Sequence, residues 1–445
     1  MPPTPRTARE LALERLLRIE EQGAYVSRVS AQGTDADDAR EERQAAEFVA
    51  GVTRLRRWLD FLIGEFYRGE ASQLEPAMKQ VLRIGLYDLL MLDTAPHAAV
   101  HESVELAKKA IRPDAGGLVN AILRAVERQR GDLPVPSSGR EVRDLAVAFS
   151  QPNWIVRRWL NRFGPDEARA LLAAANERPR YGLRVNTLRL QPQAFGKMLD
   201  EQGVSWVPSP YLEDFVRVEQ LQPVLRAGWL EDGTCAVQDE AAGLVVRILD
   251  PQPGEFIIDA AAAPGGKTVY SGIRMADQGR LLAIDVHRSR ANLIRQSAAA
   301  HGLSIVEVIA GDLREIAGAE GAPQADRVLL DAPCSGLGVL AKRADLRWQR
   351  DEAQLPQLCA LQDDLLDAAA RLVRPGGLLV YSTCSIEPDE NEGRVEAFLQ
   401  RHSDYQMETV EGSAPDMMTT PAGHLLALPH RHGTDGAFAA RLRRR

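Results

Sequence analysis

Between residues 256 and 384, five short apolar segments (256–259, 281–285, 306–309, 328–331 and 378–384) are separated by spans long enough to hold a crossover helix. Parallel strands cannot be joined by tight turns, so this alternation predicts a parallel, doubly wound sheet with helices on both faces. In such a sheet ligands gather outside the carboxyl ends of the strands. The residues that close each segment are therefore the first place to look for chemistry.

A chain of 445 residues is too long for one ordinary core, and the pattern changes along it. Residues 1–135 read as an all-α domain. Thr7 and Glu10 have capping-box spacing ahead of Leu11, Leu13, Leu16, Leu17 and Ile19, and similar helical patterns recur over 48–63, 81–92 and 100–111. The run at 131–142 is rich in Gly, Pro and Ser and lacks apolar periodicity, as a linker does. Residues 143–230 read as a small α/β connector, with a helix near Trp154–Phe163 and a strand at 183–185, and residues 231–445 hold the parallel sheet.

No apolar run reaches membrane-spanning length, and Met1–Glu10 has no apolar stretch behind its basic residues to make a signal peptide. A cytoplasmic, monomeric protein without membrane contact is expected. Cys235, Cys334, Cys359 and Cys384 form no C-x-x-C pair, and His430 and His432 have no further ligands beside them, so neither a disulfide framework nor a metal is expected. The net charge of −8 counts mildly against a nucleic-acid partner, but an acidic protein can still carry basic grooves. Cations cluster at Arg178, Arg180, Arg184 and Arg189, at Lys342, Arg343, Arg347 and Arg350, and at Arg441, Arg443, Arg444 and Arg445; any one cluster taken alone reads as a solvated face.

The first sheet strand runs into Asp259-Ala-Ala-Ala-Ala-Pro-Gly-Gly-Lys-Thr268, whose small residues let a ligand approach the backbone. A Walker motif would need glycine where Ala261 stands, and the G-x-G-x-x-G of a dinucleotide fold is absent. Asp285 closes the second strand about twenty residues after the glycines, where an acidic side chain can accept hydrogen bonds from ribose hydroxyls. Together these features suit an adenosine-containing ligand, and S-adenosylmethionine, which needs no pyrophosphate cradle, best of all.

The fourth strand ends Asp331-Ala-Pro-Cys334-Ser-Gly, and the fifth ends Tyr381-Ser-Thr-Cys384-Ser. Either cysteine alone could be a small core residue, but parallel neighbours would bring both to the rim that holds the cofactor. C5 of cytosine is a poor nucleophile; a thiolate that adds to C6 makes the ring an enamine able to attack an electrophilic methyl group. A carboxyl group near N3, here Asp331, could stabilise the adduct by sharing a proton with the ring. The C5 proton and the enzyme sulfur must then leave, which gives a second thiol a task.

These motifs resemble those of the RNA cytosine-C5 methyltransferases of the Nol1/Nop2/Sun family: Ala262-Ala-Pro-Gly-Gly-Lys-Thr268, Asp331-Ala-Pro-Cys-Ser-Gly336, Thr383-Cys-Ser385, Arg184-Val-Asn186 and Gly433-Thr-Asp-Gly436. His101-Glu-Ser-Val-Glu-Leu-Ala-Lys108 and Leu118-Val-Asn-Ala-Ile-Leu-Arg124 resemble the NusB-type RNA-binding helical domain that one bacterial branch of the family carries. The resemblance implies a multidomain fold: an all-α NusB-like domain, a small α/β connector and a Rossmann-type α/β methyltransferase domain. It implies Cys384 as nucleophile, Cys334 as the residue assisting product release, S-adenosylmethionine as cofactor and 16S ribosomal RNA as substrate. Cofactor contacts carry over to Ala261, Ala262, Ala263, Pro264, Gly265, Gly266, Lys267, Asp285, Asp312 and Asp331.

The sequence departs from the family pattern at Ala261, where cysteine is usual, at Leu337, often threonine, and at Ala344, often proline. Arg184, Arg343, Arg347 and Trp348 are candidate RNA contacts, cations and an aromatic face being suited to phosphates and bases. The rival readings are a noncatalytic RNA-binding or antitermination factor, and a methyltransferase acting on another RNA, on DNA or on protein.

Overall fold

The computed structural model describes residues 6–22 and 39–445; the first five residues of the Met1–Glu10 stretch lie outside it. The chain forms two compact units, Met1–Glu177 with Arg343–Arg350, and Arg178–Lys342 with Asp351–Arg445.

The first unit is all-α among its described residues. Its opening helix, Ala8–Gln22, starts on the expected capping box: the Glu10 N–H donates to Thr7 Oγ1 at 3.3 Å and the Thr7 N–H to Glu10 Oε2 at 3.1 Å. Leu13 and Leu16 from this helix enter a core shared with Phe48, Val52 and Leu59 of Ala39–Phe66 and with Leu82 and Leu86 of Pro76–Met91. Pro76 and Pro96 each stand in the first turn of a helix, where a missing N–H costs nothing. The helix Asn153–Ala174, which the sequence reading assigns to the connector, belongs to this unit and is broken by Gly164, at φ 76°, followed by Pro165.

The second unit contains two sheets. The smaller is antiparallel, with strands β1 (Tyr181–Val185), β2 (Trp206–Pro208), β3 (Phe215–Val218) and β4 (Cys235–Val237) in the order β2-β3-β1-β4. Cys235 is a buried member of its core beside Leu183, Phe195 and Val216. The larger sheet contains the expected parallel strands β5 (Phe256–Asp259), β6 (Arg280–Asp285), β7 (Val306–Ala310), β8 (Ala325–Asp331) and β9 (Val373–Thr383), in the order β7-β6-β5-β8-β9. Alternate residues serve its two faces. Ile257, Leu281, Leu329 and Val380 join one core, and Ile258, Leu282, Val328 and Leu379 join the other.

The sheet continues past β9 into antiparallel strands that the sequence reading lacks. These are β10 (Tyr405–Glu408), β11 (Leu425–Ala427) and β12 (Ala437–Arg444), with β12 paired to β9. Their basic character is neutralised locally: Arg443 and Arg441 meet Glu408 at 2.7 and 3.2 Å, and Arg444 meets Asp404 at 3.1 Å. Among the described residues no helix is long and apolar enough to cross a membrane.

His301 ends the helix Arg288–Ala300 and is buried, with its Nδ1 2.8 Å from Ser297 O. Burial, with Arg184 and Arg189 nearby, pushes its imidazolium down from 6.5 to about 4. As pH falls below 6.5 the unfolded chain takes up a proton that the folded chain refuses until about pH 4, so this group removes stability across that window. Thermal unfolding at stepped pH should show Tm falling by several degrees over the interval, and His301→Gln should flatten part of that slope.

Candidate active site

The carboxyl ends of β5, β6, β8 and β9 meet as the sequence pattern requires. After β5 the chain turns through a loop of small residues into the helix Gly266–Arg274. Gly265 allows the turn because it sits at φ 106°, a conformation that a side chain would strain. The loop is laced to the end of β6: the Ala262 N–H donates to Ile284 O at 2.8 Å and the Ala263 N–H to Asp285 Oδ2 at 3.2 Å. Asp285 Oδ1 accepts from the His287 N–H at 2.9 Å. Each carboxylate oxygen therefore retains acceptor capacity for a hydroxyl donor. Beneath the loop, Asp259 accepts from Thr268 Oγ1 at 2.6 Å, and burial pushes its carboxyl up to about 6.

This cradle fits an adenosine ligand. Its wall is backbone and methyl groups, and a Cβ placed on Gly266 would meet nothing closer than the Gln238 side chain at 3.8 Å. Asp312 stands at the end of the β7 connection, where it caps the helix Leu313–Gly318 and holds Arg314 at 2.6 Å.

Lys267 extends from the cofactor loop to Asp331, with Nζ 2.6 Å from Oδ2, while Asp331 Oδ1 accepts from Ser382 Oγ at 2.8 Å. Burial works against the Lys267 ammonium, but the Asp331 carboxylate outweighs it and raises the lysine above its ordinary value. The two strand-end cysteines lie together, Cys334 Sγ being 3.3 Å from Cys384 Sγ, and both are partly exposed. The contact with Cys384, then burial and the neighbouring Glu390 and Asp331 charges, push the Cys334 thiol well up, so this sulfur keeps its proton at neutral pH.

Glu390, fully buried, ties the two cysteine turns together. Its carboxylate accepts from the Ser335 N–H at 2.7 Å, from Ser335 Oγ and Ser385 Oγ at 2.5 Å each, and from Gln362 Nε2 at 3.1 Å. Asn391 adds a second brace, accepting from Thr383 Oγ1 at 2.6 Å and donating to Ser385 O at 3.0 Å. The sequence reading passed over both residues. The available signal was a Glu-Asn pair closely following a strand-end cysteine among serines and a threonine, groups that a buried turn must satisfy.

Three of the four expected RNA contacts are engaged elsewhere. Arg184 is 1% exposed; it donates to Gln238 Oε1 and, at 2.7 Å, to Gly266 O, bracing the cofactor loop from behind. Arg347 is fully buried within the helical unit, donating to Ala175 O at 2.8 Å, Asn176 Oδ1 at 2.7 Å and the Ser150 and Arg54 carbonyls at 3.3 Å. Trp348 donates from its indole to Thr53 O at 2.7 Å, and Arg56 covers its ring at 4.1 Å. The expectation of RNA contact is corrected for Arg184 and Arg347, because a guanidinium sealed inside the fold and held on internal oxygens cannot reach a phosphate in solvent. Arg343 is exposed. Cys359 donates to Asp389 O at 3.3 Å, away from the sulfur pair, and among the described residues no group of three His, Cys, Asp or Glu side chains forms a metal cluster.

Family models match in three consecutive stretches: the 16S rRNA methyltransferase RsmB/F model over residues 246–443, the NusB family over 6–128, and the ferredoxin-like domain of the RsmF/B methyltransferases over 151–225. The chain is 35% identical to the probable ribosomal RNA small subunit methyltransferase B of Synechocystis over 91% of each chain. It is 33% identical to ribosomal RNA small subunit methyltransferase B of Escherichia coli over 98% of each chain. The crystal structure of a methyltransferase homolog from Pyrococcus horikoshii superposes with a TM-score of 0.60 and 27% identity, over 68% of this chain and 99% of that one.

Fold, loop and family models together define an S-adenosylmethionine-dependent methyltransferase with a NusB-type helical domain. The chain belongs to the ribosomal RNA small subunit methyltransferase B family.

Proposed function

We propose that this protein methylates C5 of a specific cytosine in 16S ribosomal RNA through a transient bond between Cys384 and C6 of the base. The observation that carries the reading is the pair of sulfurs 3.3 Å apart at the ends of adjacent strands, with a lysine-held carboxylate beside them. When bound, S-adenosylmethionine supplies the electrophilic methyl group, and Ala261 to Lys267 with Asp285 and Asp312 are the residues that would hold it.

Cys384 attacks C6, and electron density moves towards N3 and the exocyclic oxygen. Asp331, fixed by Lys267 and Ser382, relays to N3 the thiol proton that Cys384 gives up and so stabilises the adduct. Once C5 carries the methyl group its proton must leave and the C6–S bond must break. Cys334, which keeps its proton, gives it to the Cys384 sulfur as the C6–S bond breaks; the Cys334 thiolate so formed takes up the C5 proton, and N3 returns its proton through Asp331. A duplex would hide the reactive edge, so the target cytosine lies in a loop or leaves its stack.

Small-subunit RNA from cells with and without the gene, mapped for 5-methylcytosine, tests the reading. One cytosine should lose its methyl group in the absence of the protein and regain it on incubation with pure protein and cofactor. Identical maps would refute it.

A further inference from the structure

The Cys384 turn rests on a stack of three backbones. The Gly338 N–H donates to Cys384 O at 3.0 Å, and Gly338 O accepts from the Gly436 N–H at 2.8 Å. A Cβ on Gly338 would lie 2.5 Å from Gly436 O and 2.7 Å from Cys384 O, so only glycine lets the chains approach this closely. Beside this stack is a cluster of charges to which the methyl-transfer chemistry assigns no task. Lys342, on the same segment as Gly338, places Nζ 2.5 Å from Asp239 Oδ2 and 3.0 Å from Asp435 Oδ2. Asp435 immediately precedes Gly436, and its N–H donates to Asp239 Oδ1 at 3.0 Å. Asp239 is itself anchored, capping the helix Glu240–Leu249 through the Ala241 N–H at 2.9 Å.

We propose that Lys342, by bridging Asp239 and Asp435, is a positioning residue that clamps the Gly436–Gly338 backbone stack and thereby sets the presentation of Cys384. The proposal rests on Cys384 being the nucleophile. Two carboxylates in contact repel, and the Lys342 ammonium, alongside the Asp435 N–H bond to Asp239, offsets that repulsion. Burial and the Asp239 charge push the Asp435 carboxyl up, and the Lys342 ammonium opposes that shift. Without the cation, only the Asp435 N–H bond to Asp239 opposes the repulsion between the carboxylates, and Asp435 shifts. Gly436 moves with it, and the carbonyl of Cys384 loses its backing. A displacement on the order of 1 Å at a nucleophile can cost about a hundredfold in rate. The clamp itself makes no contact with the loop at 259–266 or with Asp285; because Asp239 adjoins Gln238, which stands against Gly266, cofactor affinity is the control that separates the two effects.

The test uses the full-length protein and Lys342→Met, Lys342→Arg and Gly338→Ala variants. Four quantities are measured: kcat and KM for ribosomal RNA, cofactor affinity by calorimetry, RNA affinity at two salt concentrations, and the rate at which iodoacetamide alkylates Cys384, read by peptide mass spectrometry without RNA. Lys342→Met and Gly338→Ala should lower kcat at least about tenfold and change the alkylation rate of Cys384, with cofactor affinity unchanged; Lys342→Arg should restore both. An unchanged alkylation rate and kcat in Lys342→Met would overturn the proposal. So would an effect confined to RNA affinity and its salt dependence, which would make Lys342 a phosphate contact. A parallel loss of cofactor binding that Lys342→Arg fails to restore would also overturn it. The alkylation measurement needs no RNA substrate, so it tests the clamp separately from the assignment of the reaction.

Discussion

Cys384→Ala should abolish methyl transfer, with a loss of up to about a millionfold, the scale seen when a covalent nucleophile is removed, while fold and cofactor affinity persist. The substitution removes one partly exposed sulfur whose neighbour is the Cys334 thiol. The Cys384 carbonyl, which accepts from Gly338, survives, as do the Glu390 and Asn391 braces on either side. The stability change should therefore stay within about 1 kcal/mol, checked by thermal unfolding. Labelled-methyl transfer to ribosomal RNA and cofactor calorimetry on the same preparation separate catalysis from folding. A noncatalytic RNA-binding factor would be indifferent to this change. If the variant transferred methyl groups at the normal rate, Cys384 would have no covalent role.

Cys334→Ala should have the opposite signature: a protein–RNA complex that survives denaturing electrophoresis and accumulates when cofactor is present. Cys334 sits 3.3 Å from Cys384 and is held protonated by that contact, by burial and by the Glu390 and Asp331 charges. Its hydrogen therefore lies beside the sulfur that must leave C6. Removing it leaves bond formation possible and slows release. The adduct should be absent from Cys384→Ala and from the double variant, since the proposed mechanism gives bond formation to Cys384 and release to Cys334. A Cys334→Ala protein that turned over normally without accumulating complex would show that release needs no second thiol.

Much of this site was legible because a parallel sheet places strand ends at one rim whatever the sequence distance. Asp285, Asp331, Cys334 and Cys384 could be assembled from five apolar segments and the residues that close them. The first helix was legible for a local reason, since Thr7 and Glu10 are three residues apart and need nothing from the rest of the chain. What escaped depends on partners distant in sequence. Glu390 looks like one more charge in an acidic stretch until Ser335, 55 residues away, donates to it.

Arg184 and Arg347 read as surface cations because charge normally stays in water, but the carbonyls that receive them are brought beside them only by folding. The antiparallel strand β12 was hidden for a related reason. Its arginines suggest a solvated tail, whereas Glu408 and Asp404 neutralise them within the sheet.

The most direct measurement uses 16S ribosomal RNA transcribed with 5-fluorocytidine and incubated with the protein and S-adenosylmethionine. Fluorine at C5 cannot leave as a proton, so the ring should remain attached to the attacking atom. Digestion and peptide mass spectrometry should find the modified nucleotide on Cys384. Its attachment to Cys334, or the absence of any attached nucleotide while unsubstituted RNA is methylated, would contradict the account.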